Sequence, residues 1–290
     1  MRRSGFSMVE LVTTIVLMGI LSGGTYISLS KLYTKKSKAK ATSELSFDSA
    51  RIANQISILL SFRIPATVIG YDMSNGTFES IYAMSQEYGV LEWISQDFEN
   101  YRAKNYSGFI DFELCDANTN MLFSPDTNIS KIPDAALIFA GSFDVGDVGY
   151  GSDFSESFGW HKHNASQLFT INNASKDENL TLDTKPNTIY EKYYLASSAF
   201  SIARAEDVNA TCRESLDTKD NTLLLYYNYR PWLGETFCDD ANVTILSNEV
   251  SGFEVDFING NLQFNLTLER EIRKPGKNII VKISKEKVVF

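Results

Sequence analysis

Glu10 is the one charged side chain between Arg3 and Lys31. A carboxylate near the end of an apolar helix costs a few kcal/mol in a membrane, which makes it a candidate for function. Its chemistry would be to neutralise a cation lying close to the hydrocarbon. The plain alternative is a carboxylate resting at the headgroup level. Cys115, Cys212 and Cys238 are the thiols of the chain. Three single pairs can be drawn among them. Cys212–Cys238, which bracket 25 residues, is the expected disulfide, contributing about 3 to 4 kcal/mol by loop-entropy arithmetic. Cys115 is then left as a buried thiol.

His161-Lys162-His163 contains the two histidines. Alternating His can share one face of a strand, but two ligands do not make a zinc site without help, so an exposed loop is expected. Asp144, Asp147, Asp153 and Glu156 lie in a Gly-rich stretch and carry the oxygens calcium favours. Their spacing matches no EF-hand, and solvated acids are expected. No metal and no cofactor is assigned. A Ser-His-Asp order, a paired-carboxylate cleft, an activated cysteine and the helicase, kinase and dinucleotide signatures are all missing, so no enzyme is expected.

Nine Asn-x-Ser/Thr sequons occur, and four have Asp two residues before the Asn: Asp126/Asn128, Asp177/Asn179, Asp207/Asn209 and Asp240/Asn242. With 36 acids in 290 residues, about one such coincidence is expected among nine. The extended form is similar to the acceptor of bacterial periplasmic N-glycosylation systems. Accidents in Asp/Asn-rich loops are the competing explanation.

Residues 6–30 would make a helix of about 37 Å at roughly 1.5 Å per residue, enough to cross a bilayer. The most apolar part, Leu11 to Leu21, has the length of a signal-peptide h-region, so hydropathy alone does not separate an anchor from a cleaved signal. No clean A-x-A-like site surrounds Ser22-Gly23-Gly24. The order of residues does separate them. Arg-Arg-Ser-Gly-Phe-Ser-Met-Val-Glu-Leu resembles the amino-terminal signal of type IV pilins and type II secretion pseudopilins. The resemblance implies a leader at 1–5 ending in Gly5, cut by a prepilin peptidase. It implies a new, N-methylated amino terminus at Phe6, with Glu10 as fifth residue of the mature chain. It further implies that Glu10 pairs with the processed Phe6 amine of a neighbouring subunit, since a paired buried charge costs far less than a lone one. Gly19 falls where the family often has a helix-loosening Gly. Where many members have Pro this chain has Ile27, and Gly23-Gly24 are expected to supply the flexibility instead.

Past the membrane, Lys31, Lys35, Lys36, Lys38 and Lys40 run against the positive-inside rule, with Arg2 and Arg3 as a modest counterweight. Apolar residues then recur at Ala41, Leu45, Ile52, Ile56, Leu59 and Leu60, near the 3.6 period. Pro65 is expected to end this helix at Ile64. Residues 31–64 are therefore either an amphipathic continuation of the first helix or a second helix after a Lys-rich linker. Phe253, Val255 and Phe257 alternate with polar residues, Asn259-Gly260 follows, and Leu262, Phe264 and Leu266 alternate again, which predicts a hairpin. Strands are also expected at Leu223–Tyr229 and, after the Pro275-Gly276 turn, at Ile279–Ile283. The last 70 residues or so loosely resemble the larger minor pseudopilins.

The expected fold class is α+β: a long amino-terminal helix, membrane-spanning in its first half, packed on an antiparallel β-sheet domain at 65–290. Residues of about 116–220 read as a loop-rich elaboration. Hydrophobic residues at 43% and charged residues at 22% fit a globular domain. The net charge of −9, or −11 without Arg2 and Arg3, disfavours nucleic acid outside a DNA-uptake machine. The expected function is a minor pilin or pseudopilin, an initiating or tip subunit of a pilus or secretion pseudopilus. The alternatives are a tip adhesin or DNA-uptake subunit, or an anchored periplasmic protein with an ordinary signal anchor. Expected partners are the prepilin peptidase, other pilins, the assembly platform and the inner membrane, with the carboxyl-terminal domain in the periplasm.

Overall fold

The structure is a computed structural model and describes residues 7–84, 86–116, 119–128, 135–140, 154–172, 177–213, 216–258, 261–273 and 277–289. Helix α1 runs from Met8 to Ser61 without interruption, about 81 Å at 1.5 Å per residue. Residues 31–40 are helical, so no linker divides it, and the chain stays helical through Gly23 and Gly24. Its second half buries Ala41, Leu45, Ser49, Ile52, Ala53, Ile56 and Leu60, one stripe at the 3.6 period. Leu59, expected on that stripe, is only half-buried. The helix stops at Ser61, three residues before the position expected from Pro65. Phe62 and Arg63 donate to Leu59 and Leu60 in a tightened last turn, and the Ile64 N–H then bonds Ile94 O at 2.9 Å. Pairing with a strand, and not the proline alone, ends the helix.

The remaining elements are β1 Ile69–Asp72, β2 Thr77–Ser80, β3 Val90–Gln96, the short α2 Phe98–Arg102, β4 Met121–Phe123, β5 Ala136–Phe139, β6 Phe169–Thr170, β7 Asn179–Thr181, β8 Tyr193–Arg204, β9 Leu223–Tyr229, β10 Asn242–Ser247, β11 Val250–Ile258, β12 Asn261–Ile272 and β13 Ile279–Val289. The chain divides into two compact units, Met1–Asp48 with Glu269–Ile283, and Ser49–Leu268 with Ser284–Phe290.

In the first unit, Arg270 pairs with Glu44, and Lys40 Nζ lies 3.7 Å from the same carboxylate. Lys282 Nζ is 2.6 Å from Glu269. A cleft of about 420 Å³ is lined by Tyr26, Leu29, Tyr33, Ile272 and Ile279. In the second unit an antiparallel sheet runs β10-β9-β8-β3-β1-β2, with β5 also on β8 and β6 on β5. Its core includes Ile94, Ala199, Ala203, Leu224, Tyr226, Phe158 and Trp160, all buried.

Two sequence expectations change here. Residues 193–204, assigned to the loop-rich middle, form the twelve-residue β8, which pairs with β3, β5 and β9. Strand β9 has the expected bounds but belongs to this large sheet. The final strands form a separate sheet of order β11-β12-β13. Within it, β11 and β12 pair antiparallel with Phe253 opposite Leu266, Val255 opposite Phe264 and Ile258 opposite Asn261. That register leaves two residues for the connection, as a tight hairpin requires. The turn residues Asn259 and Gly260 lie outside the described residues, as do Pro275 and Gly276. Strand β13 reaches Val289, six residues beyond the expected end.

Candidate assembly site at the amino terminus

Helix α1 begins with Ser7 as its cap. The Ser7 N–H donates to Glu10 Oε2 at 2.9 Å, and the Glu10 N–H donates to Ser7 Oγ at 3.3 Å. This is a reciprocal capping box, Ser-x-x-Glu, which satisfies two donors that helix geometry leaves orphaned. The Ser7-Met8-Val9-Glu10 spacing carries this signal in the sequence, where the charge of Glu10 in an apolar run masks its part as a cap. Gly5 and Phe6, the expected processing site, lie outside the described residues.

From Ser7 to Leu29 every side chain is exposed. Leu11, Ile15, Leu17, Ile20, Leu21 and Ile27 keep more than half their surface open, a continuous apolar surface that a water-facing protein does not leave bare. The hydroxyls of Thr13, Thr14, Ser22 and Thr25 are turned back onto the helix. Thr14 Oγ1 donates to Glu10 O at 2.6 Å, Ser22 Oγ to Met18 O at 2.6 Å, and Thr25 Oγ1 to Ser22 O at 2.9 Å. Polar atoms satisfied in this way are compatible with lipid. A Cβ added at Gly19, Gly23 or Gly24 would meet nothing within 4 Å. These small positions leave the helix surface open for close approach by another helix.

The family described as the prokaryotic N-terminal methylation motif matches residues 1–26. This is a type IV pilin and pseudopilin signature. Comparison with curated proteins and with solved structures returned no match. The signature implies processing by a prepilin peptidase and assembly with other pilins. With the apolar helix it fits a membrane-anchored chain carrying a carboxyl-terminal soluble domain.

The other candidate residues fall in the second unit. Cys212 and Cys238 form a disulfide with Cα atoms 4.4 Å apart, and buried Tyr226 donates from its hydroxyl to Cys212 O at 3.2 Å. Cys115 is half-buried where a buried thiol was expected; its Sγ donates to Asp111 O at 3.1 Å and accepts from Phe123 N–H at 3.3 Å. Asn179, Asn209 and Asn242 are exposed, while Asn128 is half-buried.

In the His161-Lys162-His163 segment Lys162 and His163 are exposed as expected, but His161 is not. His161 stacks on Tyr71 with ring centroids 3.7 Å apart, and its Nε2 lies 2.9 Å from Glu92 Oε1. The two atoms do not form a hydrogen bond, so the contact is one of close packing. Glu92 is 1% exposed and accepts a 2.6 Å hydrogen bond from the Tyr229 hydroxyl. Burial, followed by the Glu92 charge, pushes the Tyr229 pKa well above its ordinary value, so this phenol remains a donor. His163 points elsewhere, with Nδ1 3.0 Å from Glu156 Oε1. That hydrogen bond, with the Asn164 N–H, holds Glu156 below the usual carboxylate range. Glu156 is thus engaged by a histidine; Asp144, Asp147 and Asp153 lie outside the described residues. Among the described residues no three His, Cys, Asp or Glu side chains are grouped to hold a metal.

Proposed function

We propose that the chain is a minor type IV pilin or pseudopilin, held in the inner membrane by α1 until it is drawn into a filament. The observation that carries this reading is the methylation motif at residues 1–26 on an unbroken 54-residue helix whose first half is bare and apolar. Cleavage after Gly5 would free the Phe6 amine, and Glu10 of an adjacent subunit would neutralise it. The capping box supports this by presenting the Glu10 carboxylate at the very start of the helix. An amine without a partner would be expensive in hydrocarbon, so only a subunit in register would be retained. The carboxyl-terminal domain, with its eight-stranded sheet, supports a minor or tip position, since a bulky domain is hard to stack along a whole shaft. Its role is contact and not catalysis. The test is filament incorporation of Glu10→Val and Glu10→Gln chains; normal incorporation of both would sink the pairing.

A second reading, a tip subunit that binds a ligand, is favoured by an open groove of about 510 Å³ in the elaborated middle, lined by Asn164, Gln167, Thr184, Lys185, Asn187 and Tyr190. Filaments that assemble normally but lose surface or DNA binding when these side chains are replaced would support it.

A further inference from the structure

The four acid-extended sequons differ in the folded chain. An oligosaccharyltransferase must reach the Asn carboxamide and, for the extended form, the acid two residues before it. At Asn128 the acid Asp126 is exposed but the Asn is half-buried. At Asn209 the Asn is exposed but its acid is taken. Arg204 Nε donates to Asp207 Oδ2 at 3.0 Å and Nη2 to Oδ1 at 3.4 Å, and Asp207 is half-buried. At Asn179 and Asn242 both partners are exposed. Each Asn is the first residue of a strand, β7 and β10; a turn ends at Glu178 just before the first and at Asp240 one residue before the second. Asp177 holds φ at +49° in its turn, and Asp240 Oδ2 accepts from the Thr236 N–H at 2.9 Å.

We infer that Asn179 and Asn242 are acceptors for an N-linked oligosaccharide on the folded protein, and that Asn128 and Asn209 are withheld by the fold. The donor class is an oligosaccharide carried on a polyprenyl diphosphate. The Asn carboxamide nitrogen attacks the anomeric carbon, a C–N bond forms, and the anomeric C–O bond breaks with its electron pair leaving on the diphosphate. The amide proton passes to a base of the transferase, and no oxidant or reductant is involved. The inference presumes the exported location proposed above. The chain carries its own controls, since Asn75 and Asn164 are also exposed sequons but have Met73 and Lys162 at the acid position. Exposure without the acid is therefore present in the same molecule.

The experiment treats the folded full chain, purified in detergent, with a purified bacterial oligosaccharyltransferase and a polyprenyl-diphosphate-linked oligosaccharide. Glycopeptides are then quantified by mass spectrometry, with a short acid-extended acceptor peptide in the same tube. Occupancy at Asn179 and Asn242 at least tenfold above Asn75 and Asn164 is expected. Asp177→Ala and Asp240→Ala should each empty their own site alone. Asn128 and Asn209 should gain glycan only when the chain is reduced and unfolded. Equal occupancy at Asn75 and Asn164, or conversion of the peptide with no conversion of Asn179 and Asn242, would overturn the inference. The reaction uses purified chain, so its failure leaves the export reading standing; that reading fails instead on the amino-terminal mass.

Discussion

Replacing Glu10 separates the capping contact its carboxylate makes from the pairing role proposed for it. Within its own chain it accepts from the Ser7 N–H at 2.9 Å. In the proposed filament it also neutralises a neighbour's Phe6 amine. Gln fits a capping box nearly as well as Glu, so Glu10→Gln keeps the helix start. Glu10→Val removes both roles. Ser7→Ala removes the other half of the box, at about 1 kcal/mol confined to the first turn. A lone ammonium placed in hydrocarbon costs about 2.5 to 3.5 kcal/mol. At about 1.4 kcal/mol per tenfold change, that lowers the equilibrium for entering the filament by about 60- to 300-fold. The assay is the ratio of tagged chain in sheared filaments to chain left in the membrane. Glu10→Gln and Glu10→Val should fall together by about two orders of magnitude, while Ser7→Ala should fall less than about tenfold. A Glu10→Gln chain that assembles like wild type, beside a Ser7→Ala chain that fails, would refute charge pairing and leave Glu10 as a helix cap.

Two predictions concern the domain. Tyr229→Phe leaves Glu92 Oε2 without its donor and should cost about 1 to 3 kcal/mol. His161→Ala removes the imidazole that covers the buried Glu92 carboxyl and stacks on Tyr71, and should cost about 1 to 3 kcal/mol, read by denaturant unfolding of the full chain in detergent; losses under about 0.5 kcal/mol would show that Glu92 is not held by these groups. At Asp207 burial raises the pKa above 3.8, against the opposing pull of Arg204. The folded state therefore keeps this proton better than the unfolded one, and the stability it contributes is full below about pH 3.8 and lost as pH rises through the folded pKa. The melting temperature of wild type minus Asp207→Asn should fall as pH is raised from about 3.5 to 7, and a rise would contradict the assignment.

The amino terminus was legible because its signal is local: Gly5, Phe6 and Glu10 have fixed spacing, and the apolar run after them needs no tertiary partner. The β11–β12 hairpin was legible for the same reason, with alternation on both sides of a two-residue turn. Strand β8 was not. Its sequence YYLASSAFSIAR is buried at Leu195, Ala196, Ala199, Ser201, Ile202 and Ala203, so both faces are covered and the period-two alternation is erased. Its partner β3 is about a hundred residues earlier in the chain, a pairing no local window contains. A separation of 69 residues likewise hid Glu92 and His161, whose contact exists only after β3 and the Trp160–His163 turn are brought together. The lone carboxylate in VLEWISQ was the one available hint.

The most direct test of the whole account is the intact mass and amino-terminal sequence of the chain extracted from membranes, with and without the prepilin peptidase. The account predicts a methylated Phe6 terminus that disappears when the peptidase is removed. A chain that begins at Met1 whatever the peptidase, or one cut beyond Gly24, would contradict it, and the filament role of Glu10 would fall with it.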